Sequence, residues 1–228
     1  GEALARRGYK LSVISCQFKK DLKELEDINK VRVLRAKPLV KISKGFISFD
    51  WLIKSWQEVK KADVIIITLP QFEGLIPAIW AKLLGKKVFA IYLSEVKLPY
   101  TFLNIIAEKV LFIANLLSLF IASKVITYNQ DFSLHSKILP FFINKLLYVN
   151  PPIIVPTINN RAKKLLIEKM GVSGKYRIGI IARIAAEKGI EYLLEAIPFI
   201  ESRIQNPEFR IIIAGSMDPV GEENYKRK

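Results

Sequence analysis

The chain is 228 residues long, enough for one or two domains with a sizeable core, and at 51% hydrophobic it does not have the composition of a disordered segment. Thirty-six Lys and Arg against 21 Asp and Glu give a net charge of +15, which points to an anionic partner; 23 of those basic and 12 of those acidic side chains lie in residues 1–150. Cys16 and His135 are each the only one of their kind, so no disulfide framework and no metal site is expected.

Residues 1–8 read as the last turns of a helix stopped by Gly8, and 9–15 as a strand leading to Cys16, a packed thiol. Residues 17–45 are charged, with little periodicity except 31–35, an alternating strand preceded by a plausible Asn29-Lys30 hairpin turn. The lysine-rich stretch up to Lys44 reads as a solvated face. Residues 46–61 form an amphipathic helix through Phe49, Leu52, Ile53 and Trp56. The branched run 62–68 predicts a parallel strand buried on both faces. Leu69-Pro70-Gln71-Phe72-Glu73 follows at the carboxyl edge of that sheet, as a site loop or as a proline-stiffened connection. A helix over 74–84 stopped by Gly85, a strand over 87–92, and then Leu93-Ser94-Glu95 continue an alternation that argues for a doubly wound domain.

Residues 101–123 are unusual, because helical spacing leaves only a thin polar stripe of Thr101, Asn104, Glu108, Asn115 and Ser118. Glu108-Lys109 shortens the apolar run below the roughly 20 residues of a membrane span. Two readings stay open, a helix buried on most sides or one lying against lipid. The basic first half favours an anionic membrane surface over nucleic acid, for which no binding signature is present. A strand over 124–128, a short helix over 129–136 with Asp131 near its start, and a strand over 145–149 follow. Asn150-Pro151-Pro152, with Pro156 soon after, marks a domain boundary, and 161–170 reads as a helix.

The stretch that organises the second half is 175–215. A branched apolar strand over 176–182 leads into Arg183-Ile184-Ala185-Ala186-Glu187-Lys188-Gly189, then a helix over 190–197 through Ile190, Leu193, Leu194 and Ile197, then a strand over 209–215. In such a crossover the loop after the first strand lies where open α/β sheets bind ligands. Two cations five residues apart, beside a helix start with unpaired N–H groups, suit an anion such as a diphosphate. A surface helix start with one snorkelling arginine is the alternative reading of the same spacing.

This loop resembles the G-R-x-x-x-E-K-G signature of the GT-B glycosyltransferases, in particular the large retaining family 4, with Ala182 where that family usually has glycine. The continuation 190–196 and the strand 211–215 are similar to the same family, as are the helix end before Gly8, the 62–65 strand, the Lys82-Leu83-Leu84-Gly85 helix end and the Pro151-Pro152 crossing. The resemblance implies an α/β fold of two Rossmann-like domains (GT-B): an acceptor-side domain over 1–154, lacking its first strand, and the incomplete start of a donor-side domain over 155–228. It implies transfer of a sugar from a nucleotide diphosphate sugar to a hydroxyl of a glycan or lipid-linked acceptor, with retention and without metal or other cofactor. No Asp-x-Asp pair supports a metal-dependent alternative. Arg183 and Lys188 would grip the donor diphosphate, with Glu187, Gly189 and Gly215 supporting the loop. Gln71, Glu73 and Ser94 are the acceptor-side candidates. The location implied is cytoplasmic, peripheral on the inner face of the membrane.

Leu93 stands where many members carry a histidine near the sugar, which keeps open a protein that binds nucleotide sugar without turnover. A GT-B nucleotide-sugar epimerase is the other alternative. The helix end at 1–8 and the polar segment 217–228 lead to the expectation of a fragment that is inactive alone.

Overall fold

The computed structural model describes residues 1–42, 45–97, 101–151, 157–169, 176–185, 188–203 and 209–215. Contacts divide the chain into two compact units, Gly1–Pro152 and Ile153–Lys228. Both are α/β, built on parallel sheets in Rossmann-like strand–helix–strand units.

In the first unit, α1 (Glu2–Arg6) ends before Gly8, whose φ of +89° allows the turn into β1 (Leu11–Cys16). A hairpin follows, β2 (Leu25–Ile28) and β3 (Val31–Ala36), joined by Asn29 and Lys30 at φ +50° and +68°. These paired positive angles match the expected turn, but charged residues 25–28 were not readable as its first strand. β3 also pairs in parallel with β1, giving the order β1-β3-β2. A second hairpin, β4 (Val40–Ile42) and β5 (Gly45–Ile47), occupies the stretch expected to be a solvated face and the first turn of a helix. The helix α2 (Phe49–Lys61) starts later because Ser48, at φ −152°, caps it by accepting from the Trp51 N–H at 3.0 Å.

β6 (Val64–Leu69), α3 (Leu75–Leu83), β7 (Lys87–Tyr92), α4 (Phe102–Ile121), β8 (Lys124–Thr127), α5 (Gln130–His135), a 3-10 segment (Leu139–Lys145) and β9 (Leu146–Tyr148) complete this unit. The four strands run parallel in the order β6-β7-β8-β9. Burial on both faces of β6 is not observed. Ile65, Ile67 and Leu69 are buried while Val64 and Ile66 are exposed. The reason is that Val59 of α2, Ala78 and Ala81 of α3, Leu119 of α4 and Leu139 of the 3-10 segment all join one cluster with that single face. Cys16 is half-buried rather than a core thiol, since β1 lies outside that cluster.

α2 also holds the smaller sheet. Glu58, buried on α2, accepts from Ser12 Oγ at 2.7 Å, from Arg32 at 2.9 Å and from Lys61 at 3.0 Å. Burial pushes its carboxyl up, but these three donors together outweigh that and hold it below the usual range.

In the second unit, α6 (Asn160–Lys169) precedes β10 (Tyr176–Ile181), α7 (Ile190–Arg203) and β11 (Phe209–Ala214). β10 and β11 pair in parallel, Tyr176 opposite Phe209 through Ile181 opposite Ala214. Of the expected α7 stripe, Ile190 is buried and Leu193 and Ile197 half-buried, but Leu194 faces out. The linker prolines Pro152 and Pro156 and the segment 217–228 lie outside the described residues.

Candidate anion loop and sheet-edge cavity

Unit two forms its loop locally. β10 ends at Ile181, the Ala182 N–H donates to Ala214 O at 3.0 Å, and the chain then leaves the sheet at its carboxyl edge. Arg183 and Lys188 are both exposed there, while Ala185 between them is buried and anchors the loop. The Lys188 N–H donates to Ala185 O at 2.9 Å, two residues before α7 begins. Gly189 has φ +59°, and a Cβ there would come within 2.8 Å of the Tyr192 ring, so glycine suits the position on two grounds. A Cβ on Gly215 would overlap the carbonyl oxygen of Ala182, which explains a glycine where β11 ends against the start of the loop. Glu187 lies outside the described residues. Two exposed cationic residues, Arg183 and Lys188, thus lie in the segment that leads from β10 to the amino end of the 14-residue α7.

Unit one builds its sheet edge from distant pieces. Past β6, the Gln71 N–H donates to Asn115 Oδ1 on α4 at 3.2 Å. Glu73 is buried; its carboxylate accepts from the Phe46 N–H at 3.0 Å and its carbonyl from Trp51 Nε1 at 3.0 Å. That arrangement braces the loop against β5 and α2. Past β7, the Leu93 N–H donates to Leu69 O at 3.3 Å, and Ser94 is exposed.

A cavity of about 390 Å³ opens at this edge, lined among others by Pro70, Tyr92, Glu95, Glu108, Lys109 and Asn115. Glu95 is its best-fixed polar group, accepting from Ser136 Oγ at 2.8 Å and from the Lys137 N–H at 2.6 Å. Burial, aided by the Glu95 carboxylate, pushes the Tyr92 phenol up, so it stays protonated throughout the physiological range. Of the expected acceptor-side residues, Gln71 touches a cavity-lining residue, and Glu73 and Ser94 are not among the lining residues. Glu95 and Asn115 were missed. Glu95 had a readable signal, its position directly after a strand at the carboxyl edge; Asn115 had only its polarity within an apolar helix. His135 is exposed and its Nδ1 lies 2.9 Å from Asp131 O. Among the described residues no three His, Cys, Asp or Glu side chains gather as a metal site.

These features define an α/β protein of parallel strand–helix–strand units with ligand-accessible carboxyl edges. No protein-family model matches the chain, and no curated protein matches it. Among solved structures it is similar to the UDP-GlcNAc 2-epimerase from Methanocaldococcus jannaschii, at 16% identity and a TM-score of 0.44, over 78% of this chain and 49% of that one. The chain thus spans about half the length of that enzyme.

Proposed function

We propose that the chain is part of a glycosyltransferase that moves a sugar from a nucleotide diphosphate donor to a hydroxyl acceptor, glycan or lipid-linked, with retention and without a metal. The reading is carried by one observation, the exposed pair Arg183 and Lys188 on the loop between β10 and α7. Donor cleavage builds negative charge on the leaving diphosphate and positive charge on the sugar ring. The guanidinium of Arg183, the ammonium of Lys188 and the N–H groups opening α7 stabilise the first. Gly189 and Gly215 let the loop take the shape this requires, and Glu187 belongs to the same loop. The cavity bearing Glu95, with Gln71, Glu73 and Ser94 around the same edge, is the acceptor side.

The test is calorimetric titration of the chain with nucleoside diphosphates in chelator-containing buffer. Binding is expected, weakened at least tenfold by Arg183→Ala or Lys188→Ala; absence of binding by every nucleoside diphosphate overturns the reading. Leu93, where many members of the family that the loop resembles carry histidine, favours a second reading, nucleotide-sugar binding without chemistry. Incubation of the full-length protein with nucleotide sugars and hydroxyl acceptors separates these readings and the epimerase alternative, since a transferase gives a glycosylated acceptor, an epimerase an isomerised donor, and a binding protein neither.

A further inference from the structure

Six apolar residues repeat at heptad spacing along the outward side of α4. Leu103, Ile106, Val110, Ile113, Leu117 and Phe120 follow one another at intervals of three and four, and each is between 45% and 76% exposed. The opposite side meets the core: Leu119 joins the main cluster, Asn115 accepts from the Gln71 N–H, and Ser118 donates to Ala114 O. Only 28% of the helix's most apolar window is buried, so the reading in which the core covers most sides does not hold. A ridge with a period of about 3.5 residues is the seam that one helix offers another, because knobs at those positions enter the holes of a facing helix.

The order of these residues fits a second copy of the same helix. Turned end for end about a two-fold axis between Leu111 and Phe112, the seam reads the same in both directions: Leu103 faces Phe120, Ile106 faces Leu117, and Val110 faces Ile113. Charge selects this orientation over the parallel one. Lys82 lies 5.8 Å and Lys145 5.5 Å from the Phe120 ring centre, and Lys145 also donates to Phe120 O at 2.7 Å and Ala122 O at 2.9 Å. A parallel pair would set two such cationic ends side by side. The antiparallel pair holds them apart by the Leu103-to-Phe120 span, about 25 Å at 1.5 Å per residue, beyond the roughly 10 Å over which charges act at ordinary ionic strength. It also sets the carboxyl end of each α4 beside the amino end of the other, the favourable sense for two helix dipoles. Lys109, the one cation within α4, then lies opposite Ala114 rather than opposite its own copy. At roughly 200 Å² for a whole large apolar side chain, the exposed fractions of the six residues and of Phe102 offer on the order of 800 Å² per copy, the share each partner gives to a standard interface.

We infer that the protein pairs with a second copy of itself through α4, antiparallel about a two-fold axis, with the Leu103-to-Phe120 seam as the centre of the interface. Ile113 belongs both to the seam and to the lining of the sheet-edge cavity, so the second copy, through its Val110, borders that cavity in each subunit.

Sedimentation equilibrium of the 228-residue chain tests this without reference to nucleotide binding. The chain sediments at twice its monomer mass at micromolar concentration. Ile113→Asp weakens the pairing about a hundredfold or more, because it buries a charge against Val110 at two symmetry-related contacts. Its circular dichroism stays that of the parent, since the side chain is exposed in the single subunit. Val110→Lys combined with Ile113→Asp in one chain restores the pairing, because a lysine then faces an aspartate across the axis. Orientation is read by cysteine cross-linking in a Cys16→Ser background: Ile106→Cys and Leu117→Cys chains, mixed and oxidised, join to each other, and neither joins to itself. A parent chain that stays monomeric up to roughly 100 µM, an Ile113→Asp chain that pairs as well as the parent, or an Ile106→Cys chain that joins to itself overturns the inference. So does a monomer that floats with phosphatidylglycerol vesicles, since lipid then covers the seam.

Discussion

The two parallel sheets offer their carboxyl edges in different ways. In the second unit the edge is made by one short segment, Arg183 to Gly189, in which Ala185 is buried and Gly189 takes a positive φ just before α7. In the first unit it is assembled from the ends of β6 and β7, the middle of α4 and the residues after α5, which are up to 44 positions apart in the hydrogen bond between Gln71 and Asn115. A loop of contiguous residues carries its chemistry in its own spacing. A cavity assembled from distant segments takes its chemistry from which side chains the fold turns inward.

The largest expected effect breaks the local side of this comparison. Arg183→Ala, in a protein that turns over nucleotide sugar through this loop, lowers kcat/KM by about a hundredfold, roughly 3 kcal/mol of barrier, read by steady-state kinetics. Gly215→Ala attacks the same loop through its backbone. The added methyl meets the Ala182 carbonyl and costs about 2 kcal/mol or more, seen as faster amide exchange in β10 and β11 with β6 to β9 unaffected.

The assembled edge is probed by Asn115→Leu. Removing the side-chain acceptor leaves the Gln71 N–H without its partner, at a cost of about 1–2 kcal/mol in thermal unfolding. A neutral result would show that the edge does not depend on α4. The smallest effect is electrostatic and confined to the first unit. Hydrogen bonds from Lys54 and Lys37, helped by their charges, lower Glu24 to about 2 from an ordinary value of 4.5. Glu58 is also held low, its three donors overcoming burial. For carboxyls with depressed folded-state pKa, the stability contribution is whole above about 4.5 and is lost as pH falls towards about 2. Glu58→Gln should flatten melting temperature against pH across that acid window, with amide exchange in β10 and β11 indifferent to it.

Legibility in the sequence followed the same division. The Asn29-Lys30 turn, the strands at 64–69 and 87–92, and the strand–loop–helix–strand run of unit two rest on contacts within a few residues, and they can be read from spacing. β2, β4 and β5 could not be read, because short charged or mixed strands gain their hydrogen bonds only from a hairpin partner. The one-sided burial of β6 was hidden for a related reason. Val64 to Leu69 is apolar throughout, and only the gathering of α2, α3 and α4 on one face decides which residues are covered.

What the amino-acid order determined alone is an α/β chain with two cations ahead of a helix start, since turn chemistry and helical periodicity act over a handful of residues. What the tertiary structure decided is which face of each element meets the core. It turned Asn115 and Ser118 inward and left Ile113, Leu117 and Phe120 outward, because the polar groups find their hydrogen bonds at the end of β6 and within the helix. Periodicity shows that a helix has two faces, and only packing shows which of them remains uncovered.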